Sequence, residues 1–366
     1  MKVTLVPGRE LASDLVAAWT RLQAANPDLA SPYFHPEFTR CIAAVRGDVE
    51  VAVVEAGGAI VALFPFQREQ ASLGLPVGGI ISDYQGLICA QGFQFSPTEL
   101  LQACRLDSWD FDHLIASQSS LTPFHWSTDA SPQIDVSKGY EAYVHERRAA
   151  GSEQIKKTYN LMRRIEREIG ALRFTAHSTD PEALNNVLRW KSDQYRTTGK
   201  TDLFAPGWIR ESIYGIWESR ADGFSGALSL LYAGDRLIAG HMGMRSRNVW
   251  HYWFPAYDSR AAKYSPGMIL LLRMAEFAPK TDVRVIDLGK GMNPYKARLM
   301  NASTLLASGR LELPSLRSRY GVASRSLRHR LRESPLGPPA RAVVRWLQGR
   351  SLKRVGLVYD PPCPFR

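Results

Sequence analysis

Cysteine is scarce in this 366-residue sequence: four residues, Cys41, Cys89, Cys104 and Cys363. None forms a Cys-x-x-Cys pair and none stands with histidine at zinc spacing, so no metal site is expected. They read as reduced thiols of a protein in a compartment where disulfides are rare. The N-terminal stretch MKVTLVPGRE lacks the apolar core of a signal peptide. No run reaches the ~20 apolar residues of a membrane span. A cytoplasmic protein is therefore expected, with a peripheral place at the inner membrane face as the alternative. The body is also short of net charge. Residues 310–366 hold thirteen basic and three acidic residues, which accounts for +10 of the formal +11. Basicity belongs to the tail. What remains is a globular composition, 45% hydrophobic and 22% charged, long enough for two domains at roughly 100–200 residues each.

Residues 52–62 (AVVEAGGAIVA) and 229–239 (SLLYAGDRLIA) share one pattern. An apolar strand meets Ala-Gly-Gly or Ala-Gly-Asp, and a second apolar strand ends in Ala, as in a tight hairpin. Both continue into strand-like segments, 62–66 then 86–90, and 240–244 then 249–257, which predicts a tandem duplication. Helices are expected over 10–25, 36–45, 153–169, 181–196 and 206–219. In the third, Ile155, Tyr159, Met162, Ile165 and Ile169 form the apolar stripe. Lys156, Lys157, Arg163, Arg164 and Arg167 fall off it, as a solvated face or as a shelf for an anion.

The stretch IDLGKGMNPYKARL, from Ile286 to Leu299, opens with two glycines after a short strand. It is no dinucleotide fingerprint, because Pro294 stands where the third glycine belongs. Nor is it a P-loop, since Lys290 lies between the glycines. Upstream, SPGMILLLRMAEFA begins at Ser265 with a candidate N-cap and with Pro266 at the first helical position. The first amides of such a helix have no intrahelical acceptor and attract an anion, and Gly267 lets a phosphate come close.

Strand, hairpin, strand, YSPGMILL, strand, then DLGKGMNPYK resembles the GNAT-type acyltransferases. More narrowly, the string Asp287, Leu288, Gly289, Gly291, Tyr295 and Lys296 resembles the cellulose-biosynthesis (CelD-like) acetyltransferase domain family, with Fem-type peptidyltransferases as distant kin. The resemblance spans about residues 150–305. It implies an α/β fold of two tandem GNAT-like units with mixed, largely antiparallel sheets: residues 1–135, residues 136–313 with the acetyltransferase, and a basic helical tail over 314–366. It implies an acyl-CoA donor, with acetyl-CoA the simplest, whose pantetheine lies beside Trp253–Tyr257 and whose pyrophosphate lies at Ser265, Gly267 and Met268. The glycine stretch would then line the acceptor pocket with Gly289, Gly291 and Lys296. Tyr295 is the candidate acid for the departing thiolate, and Asp287, His241 and His251 are candidate bases. Structural alternatives stand beside these roles: Asp287 as a brace for the turn, either histidine as a residue satisfied within a sheet, and Tyr295–Lys296 as a buried ring and a surface amine. Family members often carry an acidic residue just before Tyr-Lys, and here Met292, Asn293 and Pro294 replace it.

In the tail Leu316, Tyr320, Ala323, Leu327 and Leu331 fall at helical spacing among arginines. Such a helix packs on the body, or meets an anionic membrane or a partner protein. No RNA-binding fold is visible, so nucleic acid is the weaker expectation. The acceptor implied is a small molecule or glycan, in keeping with exopolysaccharide biosynthesis. A Fem-like enzyme using aminoacyl-tRNA and a non-catalytic GNAT-like adaptor are the alternatives.

Overall fold

The computed structural model describes residues 2–314. The basic tail from residue 315 onward, with Cys363, lies outside the described residues. The first half begins with β1 (Lys2–Pro7), α1 (Ser13–Ala24) and α2 (Pro36–Val45). The hairpin of β2 (Val49–Ala56) and β3 (Ala59–Glu69) follows, then β4 (Leu73–Leu75), β5 (Ile88–Cys89), α3 (Pro97–Ala103) and β6 (Ser108–Ile115). β7 (His125–Asp135), α4 (Tyr140–Ala149) and α5 (Gln154–Glu168) lead into the second half. There β8 (Leu172–Thr175), α6 (Pro181–Thr197), α7 (Gly207–Glu218) and the short β9 (Arg220–Ala221) precede the hairpin of β10 (Phe224–Ala233) and β11 (Arg236–Ser246). β12 (Val249–Tyr257), α8 (Pro266–Phe277), β13 (Val285–Asp287), α9 (Pro294–Leu299) and β14 (Ala302–Glu312) complete the described chain.

The repeat is visible as the same series of elements: strand, two helices, hairpin, short strand or strand, helix, strand. Both hairpins turn where the sequence placed them, at Gly57–Gly58 and Gly234–Asp235. The strand expected at 86–90 shrinks to two residues, Ile88–Cys89, because Gln85 and Leu87 spend their hydrogen bonds on β6 and on Gln118.

One continuous sheet runs β1-β2-β3-β4-β6-β14-β7-β13-β12-β11-β10-β8. The halves exchange strands at its centre. β14, from the end of the described chain, pairs with β6 of the first half, and β7, from the first half, pairs with β13 of the second. The expected boundary at 135/136 therefore falls between elements that interlock. A shared core adds to this. Trp19, Phe38 and Ile42 pack in one apolar cluster with Leu184, Val187, Ile213, Ile216 and Phe254. Burying large side chains from both halves in one cluster ties their stability together.

The outer face of α5 is solvated. Ile155, Met162 and Ile165 are buried, whereas Lys156, Lys157, Arg163, Arg164 and Arg167 are exposed. Lys156 pairs with Glu153 and Arg164 with Glu168. Among the described residues no helix is long and apolar enough to cross a membrane. The three described cysteines are free.

Candidate active site

β11 and β12 are antiparallel, but their register slips between Met242 and Met244. Gly243 makes the slip sterically feasible, since a Cβ there would lie 2.3 Å from the His251 carbonyl oxygen and 2.4 Å from the His241 ring. The His241 imidazole sits in the gap. Its Nε2 accepts the Trp253 amide at 3.1 Å, a bond the ladder no longer supplies. Burial pushes this histidine down to about 3, so it is a neutral acceptor inside the sheet.

β12 is parallel to β13 over only three pairs, Val249 with Val285 through His251 with Asp287. Then the two part. β12 continues to Tyr257 along β11, while the chain after Asp287 turns to β7, where the Leu288 amide donates to Pro132 and the Gly291 amide to Ala130. Among the described residues no strand pairs with Tyr252–Tyr257 on that side. α8 starts close by, where the Tyr252 hydroxyl donates to the Gly267 carbonyl at 3.3 Å. Ser265 occupies the N-cap position as expected, but with φ 50° it is left-handed and its side chain caps nothing. No acidic residue lies in the first turn.

Where the strands part, His251 and Asp287 meet a carboxylate from the first half. His251 Nε2 is 2.8 Å from Asp83 Oδ2. Its Nδ1 is 3.5 Å from Asp287 Oδ1, a long contact that favours the imidazolium through weak hydrogen bonding and charge together. Burial alone would lower the imidazole, but Asp287 and Asp83 outweigh it and raise it to about 9. At neutral pH the histidine is a cation between two carboxylates.

The two carboxylates differ. Asp287 is buried and its oxygens are saturated. Oδ1 accepts from Ser131 Oγ at 2.9 Å and the Gly289 amide at 2.8 Å. Oδ2 accepts from Gln133 Nε2 at 2.9 Å and from the Tyr84 hydroxyl. Burial pushes it up, but His251 and these donors bring it down to about 2. It both braces the turn and holds the histidine. Asp83 is the partly open member, its side chain 26% exposed, and it faces His113 at 3.9 Å. His113 in turn is 2.9 Å from Asp112.

The glycine stretch wraps this group. Gly289 has φ 77°, a conformation other residues rarely adopt, and it sits beside Asp83 and His251. Lys296 is buried, and its ammonium donates to the Gly289 carbonyl at 2.8 Å and the Lys290 carbonyl at 3.3 Å. Burial lowers it to about 8. It ties the loop together from within. Gly291, with φ 91°, carries the loop onto β7. Tyr295 belongs to the apolar cluster on the α8 side that also holds Tyr257 and Met268, and Trp253 belongs to the other cluster, against Tyr33. The structure thus brings His251, Asp287, Gly289 and Lys296 into one cluster, places Tyr257, Met268 and Tyr295 in one apolar cluster with α8, and leaves His241 inside the sheet.

Sequence reasoning missed Asp83, Tyr84, Ser131 and Gln133. A signal existed for the first pair: an Asp-Tyr dipeptide between Gly78-Gly79 and Gly86 is a polar loop closed by glycines. Nothing local tied it to His251, 168 residues away.

Residues 152–297 match the family model of the acetyltransferase (GNAT) domain. No curated protein matches the chain. Among solved structures it resembles FemX, at 10% identity and TM-score 0.56, over 88% of this chain and 99% of FemX. It also resembles the C-terminal DUF2156 domain of an Agrobacterium fabrum protein, at 10% identity and TM-score 0.52, over 85% and 96%. A tandem GNAT protein from the clavulanic acid biosynthesis pathway aligns at 12% identity and TM-score 0.47, over 86% and 100%. At these identities the first two likenesses speak for the fold. The region from α5 to α9, with the slipped β11, the parted β12 and β13 and the uncapped α8, is the part of the chain that matches the acetyltransferase (GNAT) domain.

Proposed function

We propose that the protein moves an acyl group, acetyl in the simplest case, from acyl-CoA to an amine or hydroxyl. The parting of β12 from β13 after His251 and Asp287 carries this reading. It leaves a strand edge whose unpaired amides and carbonyls need partners, and the two amides of a pantetheine arm can supply them as an added strand would. The Gly267 amide at the start of α8, with no side-chain cap and no acidic residue in the first turn, then meets the pyrophosphate with the helix dipole behind it.

The thioester carbon comes to rest beside the Asp83–His251–Asp287 row. The attacking N–H or O–H gives its proton to Asp83, the one member open to a substrate. His251, held by Asp287, fixes Asp83 and offsets its charge. The new C–N or C–O bond forms, the C–S bond breaks, and the departing thiolate takes a proton from Tyr295, on the α8 side near Tyr252. The absence of an acidic residue at 292–294 is then no loss, because the first half provides the carboxylate. The DLGKGMNPYK string, through its likeness to the CelD-like family, favours a sugar or polysaccharide precursor as acceptor.

The test is Asp83→Asn. Acetyl-CoA affinity should be retained while transfer to amine and sugar acceptors, followed by release of the CoA thiol, falls by about 100-fold or more. Transfer that survives in this variant would remove Asp83 from the chemistry. A wild-type protein that ignores acetyl-CoA but binds aminoacyl-tRNA with a steep salt dependence would replace the donor.

A further inference from the structure

Beyond Asp83 the polar cluster continues into a bulge of β6. Between the pairs Phe111–Gly309 and Leu114–Ala307, β6 sets two residues, Asp112 and His113, against one of β14, Ser308. A bulge re-aims side chains that a regular strand would send to opposite faces. Here the two neighbours meet, with His113 Nδ1 2.9 Å from Asp112 Oδ1. Gln85 holds the pair in place. Its Nε2 donates to Asp112 Oδ1 at 2.7 Å, and its Oε1 accepts the Asp112 and His113 amides at 2.9 Å each. The same Nε2 donates to the Ser82 carbonyl at 3.2 Å, which ties the bulge to the loop carrying Asp83. Lys290 donates to the Asp112 carbonyl and to Ser308 Oγ, and lies 3.6 Å from Asp129 of β7.

These contacts fix which nitrogen of the imidazole carries the proton. Burial pushes Asp112 up, but His113, Gln85 and Lys290 outweigh it and hold it below its usual value, as a carboxylate. A carboxylate only accepts, so Nδ1 is the protonated nitrogen and Nε2 of the neutral ring keeps its lone pair. That nitrogen is 3.9 Å from Asp83 Oδ1, the oxygen that His251 does not use. Two acceptors therefore face each other, too far apart for a direct hydrogen bond. Both are within reach of solvent, the His113 side chain 17% exposed and that of Asp83 26%.

A group placed at hydrogen-bond distance from both would see them roughly 90° apart. Two N–H bonds of one tetrahedral nitrogen serve that pair, whereas the single hydrogen of a hydroxyl serves one member. Charge points the same way. Together with Asp287, His251 and Lys296 the cluster holds four carboxylates and three cations, so an ammonium completes its balance. We propose that His113 is a second base of this site, set for an acceptor that arrives as a primary ammonium. His113 Nε2 takes the first proton and frees the nitrogen lone pair, with Asp112 supporting the imidazolium. The amine attacks the thioester carbon, and Asp83 takes the second proton as the C–N bond forms. The C–S bond breaks and the thiolate takes a proton from Tyr295. His113 and Asp83 then return two protons to solvent, and Tyr295 regains one. The inference rests on the acyltransfer reading above and narrows its acceptor from amine or hydroxyl to amine.

The test compares wild type with His113→Gln, both full length, with acetyl-CoA as donor and glucosamine or glucose as acceptor. Glutamine still donates to Asp112 but takes no proton. Wild type should acetylate glucosamine and leave glucose unreacted. His113→Gln should bind acetyl-CoA as wild type does in calorimetry. Relative to wild type, its kcat/KM for glucosamine should fall about 100-fold at about pH 6.5 and recover to within about threefold near about pH 9, where the sugar's amine is already free. A loss that does not change with pH would mark a merely structural role and overturn the second base. So would full activity at about pH 6.5, or a wild type that binds acetyl-CoA but acetylates glucose or neither sugar. Nitrogen NMR of the wild-type histidines reads the tautomer without turnover: Nδ1 of His113 should be protonated and Nε2 bare at neutral pH, and the reverse would overturn the proposal. A wild type that does not bind acetyl-CoA fails at the earlier step and takes the transferase reading with it.

Discussion

Each half of this molecule has a helix that opens Ser-Pro in the same place of the repeat, and the two openings are built in opposite ways. In α3 the Ser96 hydroxyl accepts the Glu99 amide at 3.3 Å, and Glu99 puts a carboxylate in the first turn. That end is finished: its amide is satisfied and its partial positive charge is met. In α8 Ser265 is left-handed, caps nothing, and is followed by Gly267 rather than Thr98's counterpart side chain. The strands before them differ too. β5 has two residues and β12 has nine. Duplication supplied two frames. In the function proposed above, the second is left open for the donor, and the first is closed and lends its loop with Asp83 and Tyr84 to the acceptor side of its partner.

That contrast can be broken most severely at the join. Asp287→Asn would leave the His251 cation with one carboxylate and put amide hydrogens against either the Tyr84 and Gln133 donors or the Ser131 and Gly289 donors. Unfolding in urea should show a loss of about 3–5 kcal/mol, the cost of breaking a buried ion pair, together with loss of transfer. An Asp287→Asn protein as stable as wild type would mean that the row does not hold the halves as described.

A smaller effect is expected at the bulge. Gly243→Ala drives a methyl into the His251 carbonyl and the His241 ring, so stability should fall by about 1–3 kcal/mol and acetyl-CoA binding should weaken. Normal binding in a folded variant would separate the bulge from the donor site.

The pH dependence of His251 sharpens the comparison further, because its charge partners come from both halves. Its pKa in the folded protein is raised from 6.5 to about 9. Its contribution to stability is therefore full below about 6.5 and is lost as pH rises toward 9. Asp287, lowered to about 2, contributes above its ordinary 3.8 and loses that contribution as pH falls toward 2. NMR of the imidazole should show titration near 9 in the wild type and nearer 6.5 in Asp83→Asn. A wild-type histidine titrating near 6.5 would contradict the cation between two carboxylates. The mildest change is Ser96→Ala, which should cost about 1 kcal/mol of stability through the lost cap and leave acetyl-CoA binding as it was.

Much of the second half was legible. Period-3.6 stripes gave α5 and α6, the Gly-Gly and Gly-Asp turns gave both hairpins, and Ser-Pro-Gly gave the start of α8. The centre of the sheet was not. β7 reads HWSTDASPQID, mostly polar and exposed in its first half, so it lacks the alternation that marks a strand. Yet it carries Ser131 and Gln133 to Asp287 and joins the two halves. Strand exchange leaves no local trace, because a strand's own residues do not say which neighbour they pair with. Asp83 was hidden for the same reason: its pairing with His251 exists only because the tertiary fold brings the two together.

Calorimetric titration with acetyl-CoA of the wild-type protein and of Ser265→Asp tests the central claim most directly. Aspartate tolerates the left-handed conformation at residue 265 and would place a carboxylate at the open end of α8. Wild type should bind, and Ser265→Asp should bind about 30-fold more weakly, close to 2 kcal/mol, while remaining folded. Equal binding by both proteins would show that the second Ser-Pro helix is not the donor's anchor and would contradict the division of labour between the halves.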